Sequence, residues 1–187
     1  MSRRRFLGWM AAGPLALSLT RYAHAAPPKD MKGIETMQGN WKTFLAPGTP
    51  VPSASEPLKL ADEEWRKRLQ GLSYSVLRHE DTERAGTSPL DREKRAGVFA
   101  CAGCGLPVFT SEMKFDSGTG WPSFFTTIPG VFGIKTDYKI IYPRTEYHCI
   151  RCGGHHGHIF DDGPPPTGKR YCNNGVSLKF IPKDGKA

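Results

Sequence analysis

Four cysteines in two C-x-x-C pairs constrain the fold of this 187-residue chain more than any other feature. The pairs are Cys101–Cys104 and Cys149–Cys152, and 44 residues separate them. Two thiolates at the C-x-x-C spacing occupy two corners of a tetrahedron around Zn²⁺, with Zn–S distances of about 2.3 Å. Glycines beside each pair let the backbone curl towards the sulfur atoms. The pattern predicts one Zn(Cys)4 clip, with part of a domain folded between its two halves.

Two other arrangements of these cysteines are open. In an oxidising compartment the four thiols can form disulfides, or one pair can act as a redox dithiol. The zinc clip is favoured because the C-x-x-C unit occurs twice. Four thiolates leave no coordination position for water, so the predicted site is structural and not catalytic. A deaminase would need H-x-E before P-C-x-x-C, and that motif is absent.

The composition is that of a turn-rich globular domain. Hydrophobic residues make up 38% of the chain and charged residues 24%, while 21 Gly and 16 Pro favour short strands over long helices. These values exclude a collagen, a coiled coil and a multi-span membrane protein. We therefore expect a mainly β domain (α+β, with small N-terminal helices) whose strands are antiparallel.

Short β-branched or aromatic runs between turn residues identify the predicted strands. They are Val98–Phe99, Pro107–Phe109, Lys139–Tyr142, Glu146–His148 and Val176–Ile181. An acidic start and an apolar stripe predict a helix over Leu60–Leu72, which Gly71 ends. A second short helical turn is predicted over Tyr74–His79.

Residues 1–25 have the layout of a secretory signal peptide. Arginines at positions 3–5 precede an apolar stretch from Phe6 to Thr20, and Ala23-His24-Ala25 forms a small-residue cleavage site. Paired arginines followed by Phe-Leu resemble the twin-arginine export signal. A membrane span needs about 20 apolar residues, and this stretch is shorter and interrupted by Gly and Pro. We expect an exported, periplasmic protein that has no membrane span after processing.

Residues 26–57 contain six prolines and form a predicted Pro-rich lead-in. We expect it to be extended and partly disordered, and to contact the domain through Trp41 and Phe44. The domain itself is placed at residues 58–182, followed by a short tail at 183–187.

Charge and motifs give no support for nucleic acid or nucleotide binding. The net charge is +8, but four arginines lie in the first 25 residues, so +4 remains on the rest of the chain. That surplus is not concentrated in a basic run. No G-x-G-x-x-G or P-loop sequence is present, and we expect no nucleotide or flavin.

The fifth cysteine, Cys172, lies outside both pairs. Arg170 is two residues earlier and shares its face in a strand, where a cation lowers the pKa of a thiol and favours the reactive thiolate. A buried, inert thiol is the alternative interpretation, because free cysteines are usually buried.

Three histidines follow the second cysteine pair directly. Strand alternation places His156 and His158 on one face, while a twist at the intervening glycine aims His155 and His158 inward together. Imidazoles are the natural proton donors near neutral pH, and Asp162 is placed to orient one of them or to pair with Arg170. A second metal site and capping of the zinc clip are the alternatives. A Cys–His pair also suits a protease or an acyltransferase.

Trp121 lies on a predicted loop between the two C-x-x-C pairs, flanked by Gly120 and Pro122. A tryptophan in this setting is suited to present an aromatic wall to a ligand. Burial at a strand crossing is the alternative, because most tryptophans are largely buried.

Together these motifs resemble the B-type peptide methionine sulfoxide reductases, enzymes that reduce the R epimer of methionine sulfoxide. The resemblance covers about two thirds of the chain, from Leu58 to Phe180. It rests on five motifs in the same order and spacing, namely Cys101–Pro107, Gly118–Phe124, His155–Phe160, Gly163–Gly168 and Arg170–Cys172.

The resemblance implies a fold of two antiparallel sheets and a role for each matching residue. It implies one structural Zn²⁺ held by Cys101, Cys104, Cys149 and Cys152. Cys172 is the implied nucleophile, and the matching catalytic or supporting positions are His155, His158, Asn174, Arg170 and Asp162. Trp121 and Phe160 are the implied substrate-binding aromatics, with Trp121 receiving the ε-methyl group of the substrate.

The implied reaction begins with attack of the Cys172 thiolate on the sulfoxide sulfur. His155 or His158 supplies a proton to the sulfoxide oxygen. Methionine then leaves, and Cys172 becomes a sulfenic acid. The implied partners are oxidised proteins or methionine sulfoxide as substrate, and a thioredoxin-like or other external thiol as reductant. A monomer is expected. A zinc-ribbon-like binding module without catalysis is the alternative function, and a cysteine hydrolase is a third.

The chain departs from the family pattern around the nucleophile. Asn173 stands where many relatives carry a hydrophobic residue, and Gly175-Val176 stand where many carry Ser-Ala. Gly175 is expected to loosen the strand. Thr119 stands where relatives often place a second cysteine. With four cysteines committed to zinc no spare thiol remains, so we expect an external thiol to attack the sulfenic acid directly.

Overall fold

The computed structural model describes residues 26–139 and 142–185. The signal-peptide prediction for residues 1–25 lies outside the described residues, and so do Ile140, Ile141 and the last two residues of the tail. In the described part of the chain, no helix is both long and apolar enough to cross a membrane.

The three α-helices of the described chain precede the first strand. They are α1 (Met31–Gly39), α2 (Asp62–Arg68) and α3 (Leu72–His79). The turn predicted over Tyr74–His79 is confirmed as part of α3. The helix predicted over Leu60–Leu72 is too long, because Leu69 takes an extended conformation and buries its side chain. Gly71, with a φ of 52°, precedes α3 and does not end α2.

The prediction of an extended, partly disordered lead-in is wrong for its central part. Prolines bracket residues 29–46 without interrupting them, so this run forms α1 and a 3-10 turn at Trp41–Phe44. Asp30 caps α1 by accepting the Gly33 N–H at 2.8 Å. The predicted contact with the domain is present, because Trp41 packs against the core and Lys183 lies 5.5 Å over the Phe44 ring.

Within residues 26–139 and 142–185, nine short strands form two antiparallel sheets, which confirms the predicted fold class. The strands are β1 (Gly97–Cys101), β2 (Pro107–Thr110), β3 (Lys114–Phe115), β4 (Ser123–Phe124), β5 (Phe132–Asp137), β6 (Arg144–Cys149), β7 (His155–Phe160), β8 (Arg170–Asn173) and β9 (Leu178–Pro182). The small sheet has the order β2-β1-β9, and the large sheet has the order β3-β4-β8-β7-β6-β5.

One predicted strand falls in a loop at its described residues, and another starts two residues too early. Lys139 and Tyr142 lie in a loop, because the β5–β6 hairpin closes earlier, at the pairing of Asp137 with Arg144. Val176 and Ser177 belong to a 3-10 turn at Gly175–Ser177, and β9 starts only at Leu178.

Aromatic side chains fill the core. Phe109 and Phe124 stack with ring centroids 3.9 Å apart, and Phe99 meets Phe124 edge-on at 5.1 Å. All three are fully buried. This packing holds β4 in place, and β4 pairs with β8. The strand that carries Cys172 therefore lies in the interior of the large sheet, between β4 and β7.

Candidate active site and cysteine cluster

The four paired cysteines converge into one buried cluster. The Sγ atoms of Cys104 and Cys149 are 3.5 Å apart and those of Cys101 and Cys152 are 3.6 Å apart, and all four lie within 4.8 Å of one another. A disulfide needs about 2.05 Å, so none of these contacts is one. Each pair sits in a turn closed by an amide, from Gly105 to the Cys101 carbonyl and from Gly153 to that of Cys149.

The cluster fits a tetrahedral metal ion. Four sulfurs at about 2.3 Å from a Zn²⁺ ion are about 3.8 Å from each other, close to the separations found here. Hydrogen bonds with the Cys101 thiol lower the pKa of Cys104 and of Cys152, whereas contacts with the other thiols raise the pKa of Cys101. Buried thiolates need a compensating cation, which a divalent metal supplies.

Cys172 lies apart from this cluster, near the middle of β8. It pairs with His158 of β7 on one side and with Ser123 of β4 on the other. Its side chain is half-buried and lines a cavity. Cys172 is therefore not the buried, inert thiol that was the alternative interpretation of the sequence.

The net effect on the Cys172 thiol is opposite to the one expected from Arg170 alone. Burial raises the pKa of Cys172, and this outweighs the attraction to Arg170 and hydrogen bonds with Arg170 and Thr119, which lower it. The resting thiol is therefore protonated at neutral pH, and Arg170 limits the rise.

His155 and His158 lie together as expected, with ring centroids 5.4 Å apart. The cause is a β-bulge. Tyr147 pairs with Gly157, but the next residue of β6, His148, pairs with His155, so His156 is the extra residue in β7. The bulge brings His155 to the face of His158. His156 is fully buried, with Nδ1 3.1 Å from the Asn173 side-chain oxygen.

Each of the two inward histidines faces a carboxylate. His158 Nε2 is 2.8 Å from Asp137 Oδ2, which also accepts a 2.6 Å hydrogen bond from Arg144. His155 Nδ1 is 3.0 Å from Glu146 Oε1, at an angle unsuited to a hydrogen bond. Burial lowers the pKa of both histidines despite these carboxylates. Both imidazoles are therefore neutral near pH 7.

The ionisation of Asp137 fixes the tautomer of His158. Burial opposes a charge on Asp137, but hydrogen bonds from the Lys139 amide, His158 and Arg144 outweigh it and hold the carboxyl pKa far below its usual range. Asp137 therefore accepts a hydrogen bond from the Nε2–H of His158. The second nitrogen, Nδ1, keeps its lone pair.

Arg170 pairs with Asp162 and not with a histidine. Its Nε and Nη2 donate to the two Asp162 oxygens at 2.8 and 2.9 Å. The guanidinium lies 4.4 Å over the ring of Phe160. This bidentate pair and stacked ring hold a buried cation close to Cys172.

Trp121 and Asn174 are held by the same short segment. The indole Nε1–H of Trp121 donates to the Glu83 carbonyl at 3.1 Å, and the Glu83 amide donates to the Asn174 side-chain oxygen at 3.0 Å. Trp121 is half-buried, so it is not the buried core tryptophan considered as an alternative. The Asn174 amide nitrogen donates to the His156 carbonyl at 3.0 Å.

One cavity of about 120 Å³ joins most of the sequence-predicted residues. Its lining comprises Thr82, Trp121, Arg144, Gly157, His158, Phe160, Cys172, Asn173 and Asn174. Arg170 and His155 lie behind this lining, Arg170 against the Phe160 ring and His155 beside His158. Asp162 is exposed and reaches the site only through its pair with Arg170. The fold thus brings the predicted residues to one place, while their individual roles stay predictions.

Sequence reasoning missed the residues that support this lining. Asp137, Glu146 and Arg144 lie on the hairpin before the second cysteine pair, and Glu83 lies on a loop 89 residues before Cys172. Alternation within β6 gave no signal for Glu146, because a charge next to an apolar residue is the ordinary pattern of a half-buried strand, whereas Glu146 and Tyr147 are both buried. The other partners are formed by strand register and loop packing, which single residues do not reveal.

The expectation that Gly175 loosens a strand is wrong. Gly175 is buried in the 3-10 turn, and a Cβ atom there would lie 1.8 Å from Ser88 Oγ. The absence of a side chain is required for this close approach. Asn173, the other departure, is fully buried and accepts a 2.9 Å hydrogen bond from the Tyr147 hydroxyl.

Comparison with known proteins agrees with the geometry. The SelR domain family matches residues 69–182. The peptide methionine sulfoxide reductase MsrB of Methanosarcina barkeri is 48% identical over 128 residues, which cover 68% of this chain and 90% of that protein. Its counterpart in Pseudomonas putida is 51% identical over 124 residues, 66% of this chain and 93% of that protein.

A chloroplastic relative extends this similarity to plants. Peptide methionine sulfoxide reductase B1 of Oryza sativa is 52% identical over 122 residues, which are 65% of this chain and 57% of the rice protein. The family match spans more than half of the chain, and it includes both cysteine pairs and every residue of the cavity lining. The chain therefore belongs to the SelR-domain family of B-type peptide methionine sulfoxide reductases.

Proposed function

We propose that this protein reduces the R epimer of methionine sulfoxide to methionine, with Cys172 as the nucleophile. The observation that carries the proposal is the position of Cys172, half-buried in an aromatic-walled cavity and directly opposite His158. The names of the relatives, all peptide methionine sulfoxide reductases, support the same reaction.

The cavity suits the substrate side chain. Trp121 and Phe160 offer apolar surface for the terminal methyl group, while His158 and Arg144 offer polar groups for the sulfoxide oxygen. A sulfoxide sulfur has three different substituents and a lone pair, so it is stereogenic. Fixing the methyl group against an aromatic wall directs the oxygen of only one epimer towards the polar side.

The protonation states define the first step. Cys172 carries its proton and His158 is neutral, so the imidazole takes the thiol proton as the sulfur attacks. The imidazole then passes the proton to the sulfoxide oxygen, which becomes a hydroxyl group. This hydroxyl is transferred to Cys172: the substrate S–O bond breaks and the Cys172 S–O bond forms. The substrate sulfur is reduced to the thioether by the two electrons that Cys172 loses, and Cys172 becomes a sulfenic acid.

External thiols complete the cycle. Cys172 is the only cysteine outside the buried cluster, so no second thiol of the chain is at hand. One external thiol forms a mixed disulfide with Cys172 and releases water. A second thiol regenerates Cys172 and leaves as the external disulfide. A thioredoxin-like protein is the proposed class of donor.

The four-cysteine cluster is proposed to hold one structural zinc ion. Cys101, Cys104, Cys149 and Cys152 are its ligands, and bound zinc supplies cross-linking of the two C-x-x-C turns and no reaction step. The clip joins the end of β1, in the small sheet, to the end of β6, in the large sheet. It thereby fixes the small sheet against the large sheet, whose strands β6, β7 and β8 line the cavity.

Replacement of the nucleophile tests the proposal. Cys172→Ser is expected to abolish thiol-dependent reduction of the R epimer while zinc content and the melting temperature stay at the wild-type level. Cys149→Ser is the matched change within the cluster, and it should lose zinc. Activity of Cys172→Ser above one tenth of wild type would contradict the nucleophile assignment. Wild-type protein that consumes no dithiothreitol with methionine sulfoxide would favour the binding module.

We also propose export through the twin-arginine route, on the sequence of residues 1–25. Tagged full-length protein in a bacterial host should appear in the periplasm in processed form. Replacing the three arginines at positions 3–5 by lysine keeps the charge and should leave the precursor in the cytoplasm. Arg21→Lys is the matched control and should be exported normally. Export of the triple variant would point to the general secretory route.

A further inference from the structure

Glu83 is a buried charged residue that the reaction described above does not use. Its side chain is 2% exposed, and none of the described cations forms an ion pair with it. It lies on the loop between α3 and the 3-10 turn at Pro89–Asp91. A carboxylate in such a position is costly unless hydrogen bonds satisfy it.

Two backbone amides satisfy this carboxylate, and both follow the nucleophile strand closely. Oε1 accepts the N–H of Gly175, and Oε2 accepts the N–H of Val176 at 3.1 Å. Gly175 and Val176 are the first residues of the 3-10 turn that follows β8. The side chain of Glu83 therefore fixes the course of the chain three and four residues after Cys172.

The backbone of the same residue holds two side chains of the cavity lining. Its amide donates to the Asn174 side-chain oxygen at 3.0 Å, and its carbonyl accepts the Trp121 indole N–H at 3.1 Å. Movement of Glu83 would therefore move Asn174 and Trp121 together relative to Cys172.

The surroundings leave little freedom for an alternative arrangement. A Cβ atom at Gly175 would lie 1.8 Å from Ser88 Oγ and 3.2 Å from Glu83 Oε1, so the turn and the loop touch through a position that only glycine fits. The Asn174 amide nitrogen is also committed, to the His156 carbonyl at 3.0 Å. Asn174 thus has both ends of its amide engaged by backbone groups.

We propose that Glu83 is a positioning residue for methionine sulfoxide reduction, which sets the place of Trp121 and Asn174 around Cys172. The inference rests on the proposed function. The Glu83 carboxylate anchors its loop to the turn after β8. The Glu83 backbone N–H and C=O then hydrogen-bond the Asn174 and Trp121 side chains. Displacing side chains that hold the substrate weakens its binding, so the effect is expected mainly on KM.

Steady-state kinetics of Glu83→Gln tests this role. The variant keeps the shape of the side chain but presents an NH₂ group to one of the two amides. We expect the KM for the R epimer to rise at least fivefold, with a smaller fall in kcat. A purely structural role would lower the fraction of folded enzyme, which reduces kcat and leaves KM unchanged. Glu93→Gln is the matched control, because the Glu93 carboxylate is also largely buried but bonds Arg95 and the Lys94 amide, neither of which lines the cavity.

Zinc content and the melting transition are measured on the same samples. If Glu83→Gln loses either, Glu83→Asp takes its place, since it keeps the charge but cannot reach both amides. A KM within twofold of the Glu93→Gln control in the folded variant would overturn the inference. Wild-type enzyme without any sulfoxide reduction would instead overturn the proposed function, so the two failures are distinct.

Discussion

Cys172 lies directly opposite His158 in the pairing of β8 with β7. Directly opposed residues of an antiparallel pair have Cβ atoms about 5 Å apart, which is within reach of a proton transfer between their side chains. Burial acts on both groups in the same sense, because it favours the neutral thiol and the neutral imidazole. Cys172 is therefore a neutral acid and His158 a neutral base, and the thiolate forms only when the proton moves from the thiol to the imidazole.

The Asp137 carboxylate is expected to control His158. Asp137→Asn removes the charge that favours the imidazolium, so the pKa of His158 falls further below its ordinary value. The acid limb of the pH profile of kcat should move to lower pH, because the imidazole stays unprotonated there. Loss of the fixed tautomer should also lower kcat by about 10- to 100-fold.

Asp161→Asn is the control for this experiment, since Asp161 is an exposed residue that pairs with Lys169. Its pH profile should coincide with that of the wild type. An acid limb that stays in place in Asp137→Asn, measured by kcat between pH 4.5 and 8, would remove Asp137 from the proton-transfer chain.

Arg170 is expected to keep the Cys172 thiol within a usable pH range. Alkylation of the wild-type enzyme by iodoacetamide should follow a midpoint above the ordinary thiol pKa, because burial raises the pKa of Cys172. Arg170→Gln removes the attraction that opposes this rise, so the midpoint should move to still higher pH. Arg95→Gln alters an exposed ion pair with Glu93 and should leave it unchanged. A lower midpoint in Arg170→Gln would contradict the assigned sign.

Thr119 provides a test of the one-cysteine cycle. An interaction with the Thr119 side chain is among the causes that lower the pKa of the Cys172 thiol. Thr119→Cys would place a sulfur beside Cys172 on a half-exposed loop. After one turnover without reductant, mass spectrometry should find an intramolecular disulfide in Thr119→Cys and a dimedone-reactive sulfenic acid in the wild type. A disulfide to Cys172 in the oxidised wild type would refute the cycle.

The cysteine cluster is expected to carry much of the stability. Cys149→Ser removes one of four ligands, and we expect less than half an equivalent of zinc and a melting temperature lower by about 10 °C or more. Cys172→Ser should change neither quantity, because Cys172 lies outside the cluster. Metal analysis and calorimetry of the two variants decide the point. Full zinc content in Cys149→Ser would show that the cluster does not bind metal through all four sulfurs.

Much of this site was readable from sequence because its chemistry lies in compact motifs. The two C-x-x-C pairs, the His155–His158 run and the Arg170–Cys172 run each place reactive groups within a few residues. The roles of Asp137 and Glu83 could not be predicted from the sequence. Strand register brings Asp137 to His158 across 21 residues of chain, and loop packing brings Glu83 to Asn174 across 91 residues. The sequence analysis missed α1 because it considered the total number of prolines in residues 26–57 and not their positions, which leave residues 29–46 free of proline.

The glycine between the histidines offers the sharpest steric test. A Cβ atom at Gly157 would lie 1.9 Å from the Cys172 carbonyl oxygen, so β7 and β8 cannot keep their spacing around any larger residue. Gly157→Ala should lower the free energy of unfolding by about 1–3 kcal/mol and separate His158 from Cys172. We expect kcat to fall at least tenfold in molecules that remain folded. Gly39→Ala, at the exposed end of α1 with no atom within 4 Å of its Cβ and no positive φ, measures the effect of an alanine away from the site. Wild-type kcat in Gly157→Ala would mean that the opposed pair tolerates a displaced strand, and proton transfer between Cys172 and His158 would then have to be abandoned.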